Sequence, residues 1–253
     1  MGGVVARLAF LPPPPTYDEN WDKLTWVKTK RGQRIPLLYI PHPGAKFSLL
    51  FAHANAEDLG SIADHLNTLA EVLCVNVCGF DYTGYGHASG TPSELDCYAD
   101  IAAAFAWLAE THNALPKHVI LYGRSIGSGP CCELGSRVEV AGVVLQSAFL
   151  SCIRCVYDVK HTAFDAFCNI RKVAKIESAV LLIHGTRDDV VPLAHGKELF
   201  RLCKRPFRPF WVQGAQHNDI EISFFKLYCQ RLQEFVWSLD PKWQLKPGTV
   251  LAL

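Results

Sequence analysis

Short, continuous apolar runs recur along this chain at residues 48–52, 72–80, 118–122, 141–146, 179–183 and 209–212. Runs without polar alternation suit strands covered on both faces, as in a parallel sheet. Helical spacing fills the intervals: Tyr98, Ile101, Phe105 and Leu108 recur at steps of three and four, as do Ile222, Phe225, Cys229, Leu232 and Phe235. Ser93 followed three residues later by Asp96 is a capping pattern that opens the first of these helices. Strands alternating with helices give right-handed βαβ units and a doubly wound α/β sheet, whose ligands bind outside the carboxyl ends of the strands. Ahead of this pattern, residues 24–30 and 34–40 flank Arg31-Gly32-Gln33 and predict an antiparallel hairpin. The alternation breaks at 149–175, where Tyr157, Phe164 and Phe167 fall in an irregular pattern. This stretch is read as a small cap, its aromatics either plugging the domain or lining a substrate path.

A chain of 253 residues, 49% hydrophobic, suits one sizeable core. A single domain is expected over 21–239, preceded by a proline-rich segment, 1–20, and followed by a tail, 240–253. With 25 basic against 24 acidic residues there is no basic stripe, so nucleic acid is not an expected partner. Ten cysteines are too dilute in a chain of this size for a disulfide scaffold. Cys152 and Cys155 form a C-x-x-C without a second pair to complete a zinc set, so no metal is expected. Neither a signal peptide nor an apolar run of about 18 residues is evident, which predicts a cytoplasmic protein.

Directly after the run 118–122 stands Gly123-Arg124-Ser125-Ile126-Gly127, the one G-x-S-x-G in the chain. Strand, sharp turn and helix in that order expose a nucleophilic serine, and small residues two before and two after it relieve collisions with the neighbouring strand and helix. A serine hydroxyl needs a base to take its proton, and the base needs an acid to fix its tautomer, in the chain order Ser, acid, His. Past the run 179–183 and the carboxylate loop that follows it, only His195 and His217 remain. His195 falls on the next helix, whereas His217 follows the run 209–212 on a loop at a strand's carboxyl end, so His217 is the expected base. For the acid, Asp188 and Asp189 both lie just beyond 179–183, and spacing does not choose between them. The Ile126 backbone N–H at the helix start and the Asn55 N–H on the loop after 48–52 are the expected oxyanion donors.

These residues sit within longer stretches of a family pattern. They include Leu8-Ala9-Phe10-Leu11-Pro12-Pro13, Pro15-Thr16-Tyr17, Leu49-Leu50-Phe51-Ala52-His53, Asn55-Ala56, Asp58-Leu59-Gly60 and Phe80-Asp81-Tyr82-Thr83-Gly84-Tyr85-Gly86. Leu121-Tyr122-Gly123, Ser125-Ile126-Gly127, His184-Gly185-Thr186 with Asp188, and His217-Asn218-Asp219-Ile220-Glu221 continue it. Nearly end to end, the chain resembles the alpha/beta hydrolase domain-containing protein 17 family, cytosol-facing enzymes that remove palmitate from cysteines of membrane-associated proteins. The resemblance implies an α/β-hydrolase fold and a serine thioesterase without a cofactor. It implies Asp188 as the acid, since the family's acid stands two residues after His-Gly-Thr, and His217 as the base. Palmitoylated membrane-associated proteins would be the substrates, met by a monomer making peripheral membrane contact. A carboxylesterase acting on lipids or small esters is the alternative, and a non-catalytic hydrolase-fold binding protein is the rival from another class.

Two departures stand out. Ala54 replaces a family glycine on the oxyanion loop, and no cysteine precedes Cys74, so the family's palmitoylated N-terminal cluster is missing. Met1-Gly2-Gly3-Val4-Val5-Ala6 begins like a myristoylation signal but has Ala6 where Ser or Thr is preferred, and one acyl chain holds a membrane only marginally.

Overall fold

A computed structural model describes residues 10–156 and 165–240. Eight strands form one sheet in the order β1-β2-β4-β3-β5-β6-β7-β8. They are β1 (Leu24–Lys28), β2 (Arg34–Ile40), β3 (Ser48–Ala52), β4 (Asn76–Phe80), β5 (Val119–Arg124), β6 (Gly142–Gln146), β7 (Ala179–Gly185) and β8 (Phe210–Val212). The first two form the antiparallel hairpin, turning at Gly32 with φ 90°, and β2 pairs antiparallel with β4. Strands β4, β3, β5, β6, β7 and β8 run parallel, so Ala52, Gly123 and Arg124, Gln146, Ile183 to Gly185, and Val212 share one carboxyl rim. The chain leaves β3 for β4 on one side and returns to β5 on the other. That reversal opens a crevice above β3 and β5, where such sheets bind ligands.

Successive strand residues point to opposite faces, and each face has its own core. Leu49, Phe51, Ile120, Tyr122, Val144 and Ile183 pack under α1 (Leu59–Leu73) and the C-terminal helix. Leu50, Leu121, Val143, Leu145 and Leu182 pack under α2 (Glu94–His112) and α3 (Ser128–Gly135). Within the excursion at 149–175 lie α4 (Cys152–Val156) and α5 (Asn169–Lys172), and α6 (Leu193–Leu202) follows β7. Ser93 caps α2 by accepting the Asp96 N–H at 3.1 Å.

Two expectations are corrected. The run 72–80 is not all strand: Val72 and Leu73 close α1, and Cys74 turns the chain out of the helix at φ 52°. A buried helix end and a buried strand are both unbroken apolar sequence, so periodicity had no signal there. At the other end, the helix carrying Ile222 breaks at Phe224 into α7 (Ile220–Ser223) and α8 (Phe225–Ser238). Cys229, Leu232 and Phe235 keep to the core as their spacing implied, but Ile222 is 80% exposed. The proline-rich segment is docked rather than free from Phe10 onward. Its phenyl ring is buried, and Thr16 N donates to Asp58 Oδ2 at 2.7 Å while Tyr17 Oη bonds Asp81. Met1 to Ala6, Tyr157 and Phe164 lie outside the described residues, as does the tail beyond 240.

One buried carboxyl makes the fold pH-sensitive. Asp100 on α2 accepts Thr83 N–H at 2.7 Å and Thr83 Oγ1 at 2.8 Å, and burial pushes its pKa up to about 7 against these two bonds, with Asp96 adding to the rise and Arg31 opposing it. A folded pKa above the unfolded value of about 4 means the native state holds the extra proton, so stability falls as pH rises from about 4 through about 7. Asp100→Asn preserves both bonds, because Asn Oδ1 accepts the amide and Nδ2 donates to Thr83 Oγ1. Urea denaturation of the variant is expected to lose that part of the pH slope and to gain roughly 1–3 kcal/mol over wild type at pH 8. An unchanged slope would assign the pH dependence elsewhere.

Candidate active site

Strand β5 delivers Ser125 into a turn at φ 51°, a left-handed conformation that costs a non-glycine residue about 1–2 kcal/mol and persists only where its surroundings enforce it. The flanking glycines are that enforcement. A Cβ on Gly123 would stand 2.4 Å from the Gly127 oxygen, and one on Gly127 would stand 2.0 Å from the Ala52 oxygen at the end of β3. Ser128 Oγ donates to the Ser125 carbonyl at 2.7 Å, and Asn169 Nδ2 donates to Ser128 Oγ at 3.0 Å. The stretch 149–175 therefore buttresses the turn. Its Phe167 is fully buried, set edge-on to Phe10, Tyr98 and Phe149, and closes over Gly129. Of the two readings of its aromatics, Phe167 takes the plug.

His217, on the loop after β8, places Nε2 3.0 Å from Ser125 Oγ and Nδ1 2.8 Å from Asp188 Oδ2. With the proton on Nδ1 donated to the carboxylate, Nε2 is left as an acceptor facing the serine. The Asp188 side chain is wholly buried, whereas Asp189 is exposed, as expected when successive residues turn to opposite sides. Asp188 Oδ1 accepts the Val190 and Val191 amides at 3.0 and 2.7 Å, and His184 Nε2 lies 3.2 Å from Oδ2. Burial alone would raise its pKa, but the hydrogen bonds from His184, His217 and Val191 outweigh that and hold the carboxyl well below the usual carboxylate range. His195 is buried on α6, where Nδ1 accepts the Leu150 N–H at 3.4 Å, away from this line.

The Ile126 N–H begins the helical turn behind Ser125, and Asn55 lies on the facing loop. The amide of Ala54 is committed to Glu57 Oε2 at 2.8 Å. Ala54 itself is buried and takes no positive φ, so its methyl is accommodated; the residue in the left-handed region is Ala56, at φ 58°. Sequence reasoning assigned no role to the residues that hold this loop. Tyr82 Oη donates to the His53 carbonyl at 2.6 Å. Tyr85 Oη and the Leu11 amide donate to Asn55 Oδ1 at 2.6 and 2.9 Å, and Phe10 packs edge-on to the Tyr85 ring. Asp81 Oδ1 accepts the Leu59 amide at 2.9 Å. Their signal was their place in the family stretches around Phe10, Asp58 and Asp81 to Tyr85, which carried no role for any single residue.

Arg124, between Gly123 and Ser125, was also missed. Its Nη1 bonds Glu57, its Nε lies 2.7 Å from Glu221 Oε1, and its Nη2 donates to Asn218 Oδ1 at 3.1 Å. The guanidinium thus ties the loop of Asn55 and Glu57 to the loop of His217, and a cavity of ≈ 480 Å³ opens beside it. The cysteines take no part: all ten are free thiols, and burial pushes the Cys155 thiol up to about 12. No group of three or more His, Cys, Asp or Glu placed to hold a metal occurs among the described residues.

No family model matches the chain. Among solved structures, an esterase of Pyrococcus furiosus superposes with a TM-score of 0.74 at 19% identity, covering 91% of this chain and 98% of the other. An esterase from Rhodococcus sp. gives 0.68 at 18% identity, covering 86% and 100%. At such identities the likeness is one of fold, the α/β-hydrolase fold with an N-terminal antiparallel hairpin. Sequence relatives go further. Alpha/beta hydrolase domain-containing protein 17B of Xenopus tropicalis is 42% identical over 264 residues, covering 93% of this chain and 91% of its own length. The Homo sapiens 17B protein is 41% identical over the same shares, and the 17C protein of Xenopus laevis is 36% identical over 92% of this chain and 89% of its own. With relatives this similar along almost its whole length, the chain is an alpha/beta hydrolase and belongs to the alpha/beta hydrolase domain-containing protein 17 family.

Proposed function

We propose that the protein is a serine hydrolase that cleaves long-chain acyl thioesters from protein cysteines through an acyl-enzyme on Ser125. The observation that carries this reading is the unbroken hydrogen-bonded line from Asp188 through His217 to a serine held in a strained turn. In the cycle, His217 Nε2 takes the Ser125 proton as Oγ adds to the acyl carbonyl, and the Ile126 and Asn55 amides receive the oxyanion. Collapse expels the cysteine sulfur, which leaves with the proton from His217. Water, deprotonated by the same imidazole, then releases the fatty acid and restores Ser125. Asp188 keeps Nδ1–H in place throughout, and no metal or cofactor enters. The substrates are palmitoylated membrane-associated proteins, reached by a monomer through peripheral contact. Among the described residues no helix is long and apolar enough to cross a membrane.

What supports a thioester over an oxygen ester is the family resemblance. The esterases of like fold favour the second reading, a carboxylesterase with the same residues. Two measurements separate the possibilities. A fluorophosphonate probe is expected to label Ser125 in the folded protein, and failure to label would return the chain to a binding role. Turnover of acyl-cysteine thioesters is expected to exceed that of oxygen esters of equal chain length; a preference for short oxygen esters would overturn the thioesterase assignment.

A further inference from the structure

We propose that the cavity beside Arg124 is a subsite for a positively charged side chain of the substrate, a lysine or arginine next to the acylated cysteine. The proposal rests on the serine-hydrolase reading and adds to it a rule of substrate choice. Asn55, Glu57, His65, Arg124, Asn218 and Glu221 contribute to the wall. Three of them adjoin or belong to the candidate machinery in sequence: Arg124 precedes Ser125, Asn218 follows His217, and Asn55 carries an expected oxyanion amide. A group occupying this space therefore lies alongside the reacting bond.

Charge decides what kind of group that is. All three guanidinium nitrogens of Arg124 are already engaged, by Glu57, Glu221 and Asn218, so the positive charge of the arginine is taken up by groups already present. Of the two wall carboxylates, Glu57 is fully used, its Oε2 accepting the Ala54 amide at 2.8 Å, but Glu221 is not. The two share one guanidinium, and Glu221 Oε2 is buried with no hydrogen-bond partner among the described residues, although Oε1 holds Gln146 Nε2 at 2.6 Å. Burial keeps His65 toward its neutral form, so it does not supply the missing positive charge. A buried, under-compensated negative charge is costly until a cation pairs with it. The rest of the lining suits the stem of such a cation. Phe51 and Ile62 provide apolar wall and the exposed Ile222 adds more, a surface against which the methylenes of lysine or arginine pack while the charged end reaches inward.

The test uses the full-length protein and octanoyl-cysteine peptides identical except for the residues flanking the cysteine, which are lysine, the uncharged norleucine or glutamate. For wild type, kcat/KM is expected to favour lysine over norleucine by about tenfold, with glutamate lowest, and high salt is expected to shrink the ratio. In Glu221→Gln, and separately in Ile222→Lys at the exposed surface, the lysine-to-norleucine ratio is expected to fall below about twofold. Each ratio is taken within one protein, so a loss of folded enzyme does not alter it, and the surface variant decides the matter if Glu221→Gln does not fold. Norleucine peptides cleaved as fast as lysine peptides by wild type would overturn the subsite and leave the hydrolase reading standing, as would a lysine preference that survives both substitutions. No cleavage of any peptide together with no fluorophosphonate labelling of Ser125 would instead remove the hydrolase reading on which the subsite depends.

Discussion

Asp188→Asn is expected to lower kcat by about 10⁴-fold while the protein stays folded, the effect of presenting the base in its wrong tautomer. The geometry explains why so small a change acts so strongly. Asp188 Oδ1 accepts two backbone amides, from Val190 and Val191, which fix the oxygen end of an asparagine at that position. Its amide nitrogen then occupies the place of Oδ2, 2.8 Å from His217 Nδ1. Two donors cannot share that contact, so the imidazole proton moves to Nε2, and the nitrogen facing Ser125 Oγ no longer accepts. Steady-state turnover of a thioester, the rate of fluorophosphonate labelling and the far-ultraviolet spectrum together check this. Asp189→Asn, at the exposed neighbour, is expected to change turnover by less than about twofold, as surface substitutions do. Should the two variants behave alike, Asp188 is not the acid.

Gly127→Ala is expected to cost more than about 4 kcal/mol, enough to leave little folded protein in a domain of ordinary stability. A methyl there meets Ala52 O at 2.0 Å, Ala52 C at 2.7 Å and His53 O at 2.9 Å. All three are backbone atoms at the end of a central strand, so no side chain can swing aside. The substitution must part β3 from the turn, and with it the loop of Asn55 from Ser125. Gly135→Ala, at the far end of the same helix, is the comparison. Its nearest neighbours are Val143 Cγ2 at 3.4 Å and Ile176 Cδ1 and Leu121 Cδ1 at 3.6 Å, ordinary contact distances. Because alanine favours helix by up to about 1 kcal/mol over glycine, that variant is expected to match or exceed wild type in urea denaturation. Equal stability of the two variants would show that the close approach at Gly127 does not constrain the turn.

The parts of the molecule legible in sequence are those where one physical rule dominates. Buried parallel strands are apolar throughout, so β3, β5, β6, β7 and β8 stood out within a residue or two of their ends. The turn at Ser125 stood out because its glycines answer a steric demand. Asp188 and Asp189 could not be separated by spacing, since the choice depends on which way a loop turns after β7, and that is set by the Val190 and Val191 amides closing on Asp188 Oδ1. The join of α1 to β4 was hidden for a different reason: Val72, Leu73, Val75 and Val77 are all buried, and the turn between helix and strand is made by Cys74, which carries no turn signature. Long-range polar pairs were least visible. Thr16 with Asp58, Tyr17 with Asp81 and Arg124 with Glu57 and Glu221 follow no period, because each pair is brought together only by the finished sheet.

Leu11 is 60% exposed, yet its amide rests on the Asn55 side chain, and Phe10 beside it is sunk among the aromatics. The described chain thus begins at the lip of the candidate site. A pull applied at Phe10 and Leu11 is passed through one hydrogen bond to Asn55, the residue expected to receive the oxyanion. For anyone immobilising or tagging this protein, load entering at Phe10 bears on the Asn55 loop directly, through the Leu11 and Tyr85 bonds to the Asn55 side chain.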